Sequence, residues 1–191
     1  MNLPPLPLHG EAMSDRYHYH LKIACIHIKE DKFLPHVRHL DKLSNEPFLN
    51  IDIYLDRLRS AHNIGSIIRT AEAFRLGEIH FSEQTPYIDH KKIKSSAMGT
   101  ESLVPCHLKT PLNQLKRPLI AIETTKDATS IYDHTFSENC TLLLGNEEYG
   151  LSHHALSQAD LILEIPLVGS KNSLNVSCAF AILASKIRSD L

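Results

Sequence analysis

The chain has 191 residues, of which 42% are hydrophobic, and a formal net charge of −2 at pH 7. This length and composition predict one soluble globular domain with a short appendage, and no apolar run approaches the ~20 residues that cross a bilayer. The near-neutral charge excludes the uniformly basic surface that is usual in nucleic-acid binders. If the chain binds RNA, a local basic patch must do so.

The cysteine pattern and the N-terminus indicate a cytoplasmic protein. The cysteines Cys25, Cys106, Cys140 and Cys178 form no C-x-x-C pair and stand in apolar surroundings. They are therefore predicted to be buried, reduced thiols rather than disulfide or zinc ligands. The first residues lack the basic stretch followed by a long apolar core that marks a secretory signal.

Residues 1–48 differ in composition from the remainder and are predicted to be a separate N-terminal extension. They hold six of the thirteen histidines and begin with a proline-rich stretch. Helices are predicted over 17–29 and 32–43. The two closely spaced histidine pairs have no acidic or cysteine partner at a convincing spacing, so no metal is expected. We interpret this partly helical extension, whose function the sequence does not assign, as a docking or RNA-contacting segment.

From residue 49 onward, strand and helix patterns alternate. Such alternation predicts an α/β fold, a mostly parallel sheet with helices on both faces, over residues 49–191. A segment over 91–98 is predicted as helical or looped. The remaining helices are predicted over 63–74, 152–158 and 173–188. The strands are predicted over 49–55, 78–82, 103–107, 119–123, 141–144 and 161–165.

A ligand pocket is predicted in the C-terminal half. No G-x-G-x-x-G motif follows the first strand, which argues against a dinucleotide site or an ordinary Rossmann methyltransferase site. Gly145 ends an apolar strand, Gly150 follows five residues later, and Glu147 and Glu148 lie between them. Glycines at the carboxyl end of a strand let the backbone approach a ligand closely. A polar turn with glycines at positive φ is the alternative interpretation.

A second wall of this pocket is predicted near the C-terminus. Ile165, Leu167 and Leu174 offer the apolar faces that a purine needs, and the loop amides offer hydrogen bonds to its edge. Ser173 is predicted to be a helix N-cap. Asn175 is predicted to lie in the first helical turn, beside the apolar wall.

Three segments together resemble the SpoU/TrmH family of RNA 2'-O-ribose methyltransferases, which belong to the knotted SPOUT class. They are NIGSIIRTAEAF (63–74), LLLGNEEYGLS (142–152) and IPLVGSKNSLNVSCAFAI (165–182), in the family's order and spacing. The segment over 94–105 also looks like the family's weaker intermediate block. The resemblance implies a C-terminal trefoil knot, a homodimer, S-adenosylmethionine (AdoMet) as cofactor, S-adenosylhomocysteine as product, and tRNA or rRNA as substrate.

The resemblance also assigns residues. The catalytic group that it implies is Arg69, Asn63, Glu147 and Asn175. The cofactor would be held at Thr124, Gly145, Asn146, Gly150, Ile165, Leu167, Ser173 and Leu174. Basic residues beside the motifs, which would contact RNA, are Arg57, Arg59, Lys91, Lys92, Lys94 and Lys171.

Two questions stay open at the level of sequence. A lone helical arginine usually faces solvent, and a guanidinium stays protonated at ordinary pH. Arg69 would therefore act either as an activated base or as a group that orients ribose and stabilises a developing alkoxide. The alternatives to a ribose methyltransferase are a catalytically silent RNA-binding protein with the same fold and a SPOUT enzyme that methylates a base nitrogen.

Overall fold

The computed structural model of the protein describes residues 46–86 and 89–191. The helices predicted in the N-terminal extension lie outside these residues. In the described part, helices α1–α4 span Ala61–Ala73, Lys91–Ala97, His153–Gln158 and Val176–Asp190. Strands β1–β7 span Ile51–Leu55, Ile79–Phe81, Cys106–His107, Leu119–Ile122, Thr129–Ser130, Cys140–Leu144 and Leu161–Glu164.

The strands form a single sheet in the order β3-β2-β1-β6-β4-β7-β5, and every pair is parallel. Strand β6 lies at the centre, where Leu142 is in register with Ile53 of β1 and with Ile120 of β4. The predicted parallel α/β sheet is confirmed. Strand β5 was not predicted, since it has only two residues and pairs at the edge. The trefoil knot stays a prediction.

Alternating side chains of the strands build two cores, one on each face of the sheet. On β6, Leu142 and Leu144 belong to the larger core, whereas Leu143 belongs to the smaller one. The larger core also contains buried residues of α1, α2 and α4, such as Ile64, Ile93 and Phe180 in that order. The smaller core contains Ala155 of α3. Helices therefore cover both faces, as the sequence predicts.

The capping side chains fix where the two long helices begin. The Ser60 hydroxyl accepts a hydrogen bond from the Asn63 backbone N–H, so α1 begins at residue 61, two residues before the predicted start. Asn175 caps α4, and its Oδ1 accepts from the Ser177 backbone N–H at 2.9 Å. The prediction that Ser173 caps this helix is therefore wrong, because the capping side chain stands two residues later.

The cysteine prediction holds only in part. Cys140 is buried, Cys106 is half-buried, and Cys178 on α4 is exposed, contrary to expectation, whereas Cys25 lies outside the described residues. Burial raises the pKa of Cys106 to about 12 and that of Cys140 to about 11, so both stay protonated thiols at neutral pH. In the described ranges, no helix is long and apolar enough to cross a membrane.

Candidate active site

A cavity of about 600 Å³ opens where strands β4, β6 and β7 end. Ligands of open parallel sheets bind at the carboxyl ends of strands, and a volume of this size suits a nucleoside-sized ligand. Apolar side chains from several strands and from α4 contribute to its walls, among them Ile122, Leu144 and Val176. All eight residues that the sequence predicts to hold a cofactor line this cavity: Thr124, Gly145, Asn146, Gly150, Ile165, Leu167, Ser173 and Leu174.

The loop after β6 folds back on itself to form one wall. Asn146 and Gly150 exchange two backbone hydrogen bonds of 2.9 Å, which close a tight turn. Gly150 has φ +67°, and a Cβ atom there would overlap the Glu123 carboxylate. A Cβ atom on Gly145 would overlap the backbone of Gly150 and Leu151. Position 150 therefore requires glycine because of its positive φ and its contact with Glu123. Position 145 requires glycine because the backbone of the same loop approaches it closely.

Glu147 ties this loop to the beginning of α1. Its carboxylate accepts hydrogen bonds from the backbone N–H groups of Arg59 and Ser60, each at 3.1 Å, and from the Asn63 side chain at 3.0 Å. Partial burial alone would raise the pKa of Glu147, but these hydrogen bonds outweigh it and lower the pKa below its usual value. Glu147 is thus a fixed carboxylate that positions Asn63, and it is poorly suited to accept a proton.

Asn175 completes the connection between the three predicted segments. Its Nδ2 donates to the Asn63 Oδ1 at 3.1 Å, while its Oδ1 accepts from the backbone N–H and the hydroxyl of Ser177. The side chains of Glu147, Asn63 and Asn175 therefore form one hydrogen-bonded row at the edge of the cavity. Of these three, Glu147 and Asn175 line the cavity itself.

Arg69 does not join this row. It lies six residues after Asn63, which places it about 120° around the helix axis from that residue. Its side chain is exposed and its Nη1 lies 2.8 Å from the Met98 sulfur, outside the residues that line the cavity. Within one chain, the structure thus brings three of the four predicted catalytic residues together and leaves Arg69 apart.

Glu123 and Tyr149 are among the cavity residues that were not identified from the sequence. The Glu123 carboxylate follows β4 and accepts hydrogen bonds from the backbone N–H groups of Thr124 at 3.1 Å and Leu151 at 2.9 Å. Tyr149 lines the cavity with a side chain that is 71% exposed. Glu123 has no motif around it, and only the fold brings it to Gly150. Tyr149 lies inside a recognised segment, but at a position treated as variable.

Of the six predicted RNA-contacting residues, four are exposed lysines and two are arginines that pair with acidic side chains. Lys91, Lys92 and Lys94 are exposed on α2, and Lys171 is exposed on the loop before α4. Lys94 also pairs with Asp89 at 3.4 Å. Arg59 is exposed and pairs with Glu148 at 3.3 Å, whereas Arg57 is half-buried beside Asp56.

The side chains that the structure describes include no group of three histidine, cysteine or acidic residues placed to hold a metal ion. The donor set at the cavity is instead made of backbone groups, amides and carboxylates.

Comparison with known proteins identifies related chains. Residues 50–185 match the model of the SpoU rRNA Methylase family. The chain is 30% identical over 141 residues to the 23S rRNA (guanosine(2553)-2'-O)-methyltransferase RlmP of Bacillus subtilis, across 71% of this chain and 57% of that protein. It is 28% identical over 145 residues to the tRNA (guanosine(18)-2'-O)-methyltransferase of Escherichia coli K12, across 70% and 61%. The match thus spans about three fifths of these curated relatives.

Solved structures share the fold. The AdoMet-bound rRNA methyltransferase of Sinorhizobium meliloti superposes with a TM-score of 0.69 at 25% identity, over 76% of this chain and 59% of that chain. The SpoU methyltransferase AviRb of Streptomyces viridochromogenes, in complex with AdoMet, superposes with a TM-score of 0.66 at 26% identity, over 78% and 63%.

Proposed function

The chain belongs to the SpoU rRNA methylase family, and on this premise we propose that it is an AdoMet-dependent RNA 2'-O-ribose methyltransferase acting on tRNA or rRNA in the cytoplasm. One observation carries the proposal. The side chains of Asn63, Glu147 and Asn175, from three distant segments, meet in a continuous hydrogen-bonded row beside a nucleoside-sized cavity. In this proposal, residues 49–191 are the methyltransferase domain.

The cavity suits AdoMet. The apolar side chains of Ile165, Leu167 and Leu174 would hold the adenine, and the turn between Gly145 and Gly150 would bring backbone groups against the cofactor. The absence of a Cβ atom at both glycines lets this turn close against Leu151 and the Glu123 carboxylate. When bound, AdoMet supplies a methyl group on a sulfonium. The protein residues then hold the ribose in line with that methyl group, and such positioning supplies much of the acceleration.

In the proposed reaction the ribose 2'-oxygen would bond to the methyl carbon as the carbon–sulfur bond breaks, and the hydroxyl proton would pass to solvent water. Glu147 keeps Asn63 in place, and Asn63 in turn orients Asn175 at the cavity. Arg69 would stabilise the developing alkoxide as a permanent cation rather than take the proton. Exposure of its side chain leaves it available to RNA or to a second subunit.

The proposed active form is a homodimer. On the loop between β7 and α4, the apolar side chain of Val168 is fully exposed next to the cavity-lining residue Leu167. Apolar side chains at the mouth of a polar site are typical of a contact surface. A partner packed there would bring its own surface close to the cavity, and it would double the basic residues available to RNA.

The RNA-contacting surface is proposed to include the lysines of α2, namely Lys91, Lys92 and Lys94, together with Arg57, Arg59 and Lys171. The overall charge of −2 cannot attract RNA by itself, so a local cationic patch must supply the phosphate contacts.

Calorimetric titration with AdoMet, followed by methyl transfer to purified tRNA and rRNA, tests the proposal. We expect one AdoMet per chain and transfer of a labelled methyl group to one RNA class. A folded protein that binds RNA without binding AdoMet would favour the silent RNA-binding alternative. A methyl group on a base nitrogen would favour the base-methylating alternative.

A further inference from the structure

The proposed cofactor cavity is acidic. Among the described residues, its lining includes four glutamates and no lysine, arginine or histidine. The four are Glu123, Glu147, Glu148 and Glu164. AdoMet carries a positive sulfonium, and S-adenosylhomocysteine, the product after methyl transfer, carries a neutral thioether at the same position. The two ligands therefore differ by one unit of positive charge inside a cavity that has only negative side-chain charges.

The glutamates are not equivalent. Glu148 pairs with Arg59 at 3.3 Å and is largely exposed, so that its charge is partly neutralised and well screened. Glu147 directs its carboxylate at the N–H groups that begin α1 and at the Asn63 amide. Those donors take up much of its hydrogen-bonding capacity away from the ligand.

Glu123 is different because two backbone N–H groups alone hold its carboxylate, and no cation pairs with it in the described part of the chain. Its two oxygens accept one backbone hydrogen bond each, from Thr124 and from Leu151. Its carboxylate also lies directly against Gly150, at the contact where a Cβ atom would overlap it. The charge is therefore held in one place by neutral donors, at the junction between the end of β4 and the loop that forms the cavity wall.

We propose that Glu123 is a specificity-determining residue that makes the cavity prefer cationic AdoMet over its neutral product. This inference rests on the proposed function. A fixed negative charge stabilises a nearby cation and leaves a neutral thioether unaffected, so it favours exchange of product for fresh cofactor. Depending on distance and screening, one unit charge changes the affinity ratio by roughly 3- to 30-fold.

The test is calorimetric titration of the full chain with AdoMet and with S-adenosylhomocysteine. The Kd for the product divided by the Kd for AdoMet is the quantity compared. In Glu123→Gln we expect this ratio to fall by roughly 3- to 30-fold. The matched control is Glu138→Gln, which removes the same charge from an exposed position outside the cavity lining, and its ratio should stay within about twofold of the wild-type value.

The ratio separates an electrostatic role from a structural one. If Glu123→Gln weakens both ligands equally, Glu123 only supports the loop and the inference is wrong. If the wild-type chain binds neither ligand, the proposed function fails as well, and the two failures are thus distinguishable. A second measurement uses only the wild-type chain, so it does not depend on whether a variant folds. In titrations at about 0.05 M and about 0.5 M salt, the ratio of the Kd for the product to the Kd for AdoMet should fall at high salt. A wild-type ratio that is independent of salt would contradict the inference.

Discussion

Asn175 donates a hydrogen bond of 3.1 Å to Asn63, although 112 residues separate them in the chain. The orientation of the Asn63 amide follows from its other partner, because its Nδ2 donates to Glu147 and its Oδ1 must then face Asn175. Asn175 in turn caps α4 with its own oxygen. One amide thus aligns the beginning of α1, the loop after β6 and the beginning of α4.

Asn63→Asp tests this alignment. The substitution keeps the shape of the side chain but places a carboxylate oxygen against Glu147, so the donor is lost and two negative charges meet. We expect methyl transfer to fall by about 10-fold or more, the effect of losing a charge-assisted hydrogen bond. Single-turnover rates give the measurement. The neighbouring exposed residue provides the control, since His62→Ala should retain activity, and an active Asn63→Asp enzyme would contradict the role of the row.

Gly150→Ala and Gly99→Ala form a matched pair. Both glycines have positive φ, +67° and +93°, so alanine should cost each variant about 1 kcal/mol of stability or more. Only at Gly150 would the new methyl group also overlap Glu123, whereas nothing lies within 4 Å of the position at Gly99. We expect Gly150→Ala alone to lose AdoMet binding by calorimetry. Equal AdoMet affinity in the two variants would show that the turn at Gly150 is not part of the cofactor site.

The parallel sheet, the long helices and many of the cavity-lining residues could be predicted, because apolar periodicity and glycine position are local signals. The row of Asn63, Glu147 and Asn175 was predicted only as separate members of three motifs. Its hydrogen bonds depend on tertiary approach, which spacing does not encode. The position of Arg69 apart from Asn63 follows from helical geometry, since six residues are not a whole number of turns. Glu123 could not be predicted as a site residue from the sequence, because its partner Gly150 is 27 residues away in the chain.

Asp52 is a buried carboxylate on the opposite side of the sheet from α1, and it offers a stability prediction separate from the site. Burial by itself raises its pKa, but hydrogen bonds from His80, from the Glu78 backbone N–H and from Lys116 lower the pKa below 3.8. A depressed folded-state pKa stabilises the protein above the unfolded value of 3.8, and that stabilisation disappears as the pH falls through the folded value.

We therefore expect Asp52→Asn to lower the free energy of unfolding by about 1–3 kcal/mol at pH 7, and by less at about pH 3. Urea unfolding at both pH values measures this difference. The exposed carboxylate of Asp127 supplies the control, because Asp127→Asn should change the free energy by less than about 0.5 kcal/mol. An equal loss at both pH values would rule out the charge as the cause.

Arg69→Ala separates catalysis from cofactor binding. Because Arg69 lies outside the cavity of its own chain, we expect the AdoMet Kd to stay within about twofold while methyl transfer falls by about 100-fold or more, as for the loss of a group that stabilises developing charge. Arg69→Lys, which keeps the charge but not the guanidinium, should recover part of the rate. Loss of AdoMet binding in Arg69→Ala would place the residue in the cofactor site instead.

The α2 lysines test the RNA surface. Replacement of Lys91, Lys92 and Lys94 by alanine should weaken RNA binding and reduce the slope of log affinity against log salt by about 1–3, depending on how many phosphates they contact. Fluorescence anisotropy at several salt concentrations measures the slope. Lys126→Ala, an exposed lysine remote from α2 in sequence, is the control. An unchanged slope in the triple variant would show that the lysines of α2 do not contact RNA phosphates.

The chemical position of the transferred methyl group distinguishes ribose 2'-O-methylation from methylation of a base. RNA labelled by the enzyme with radioactive AdoMet is hydrolysed in alkali and the products are separated. Methylation of a 2'-hydroxyl blocks cleavage at that nucleotide, so we expect the label in an alkali-resistant dinucleotide. Label recovered in mononucleotides would place the methyl group on a base and contradict the account.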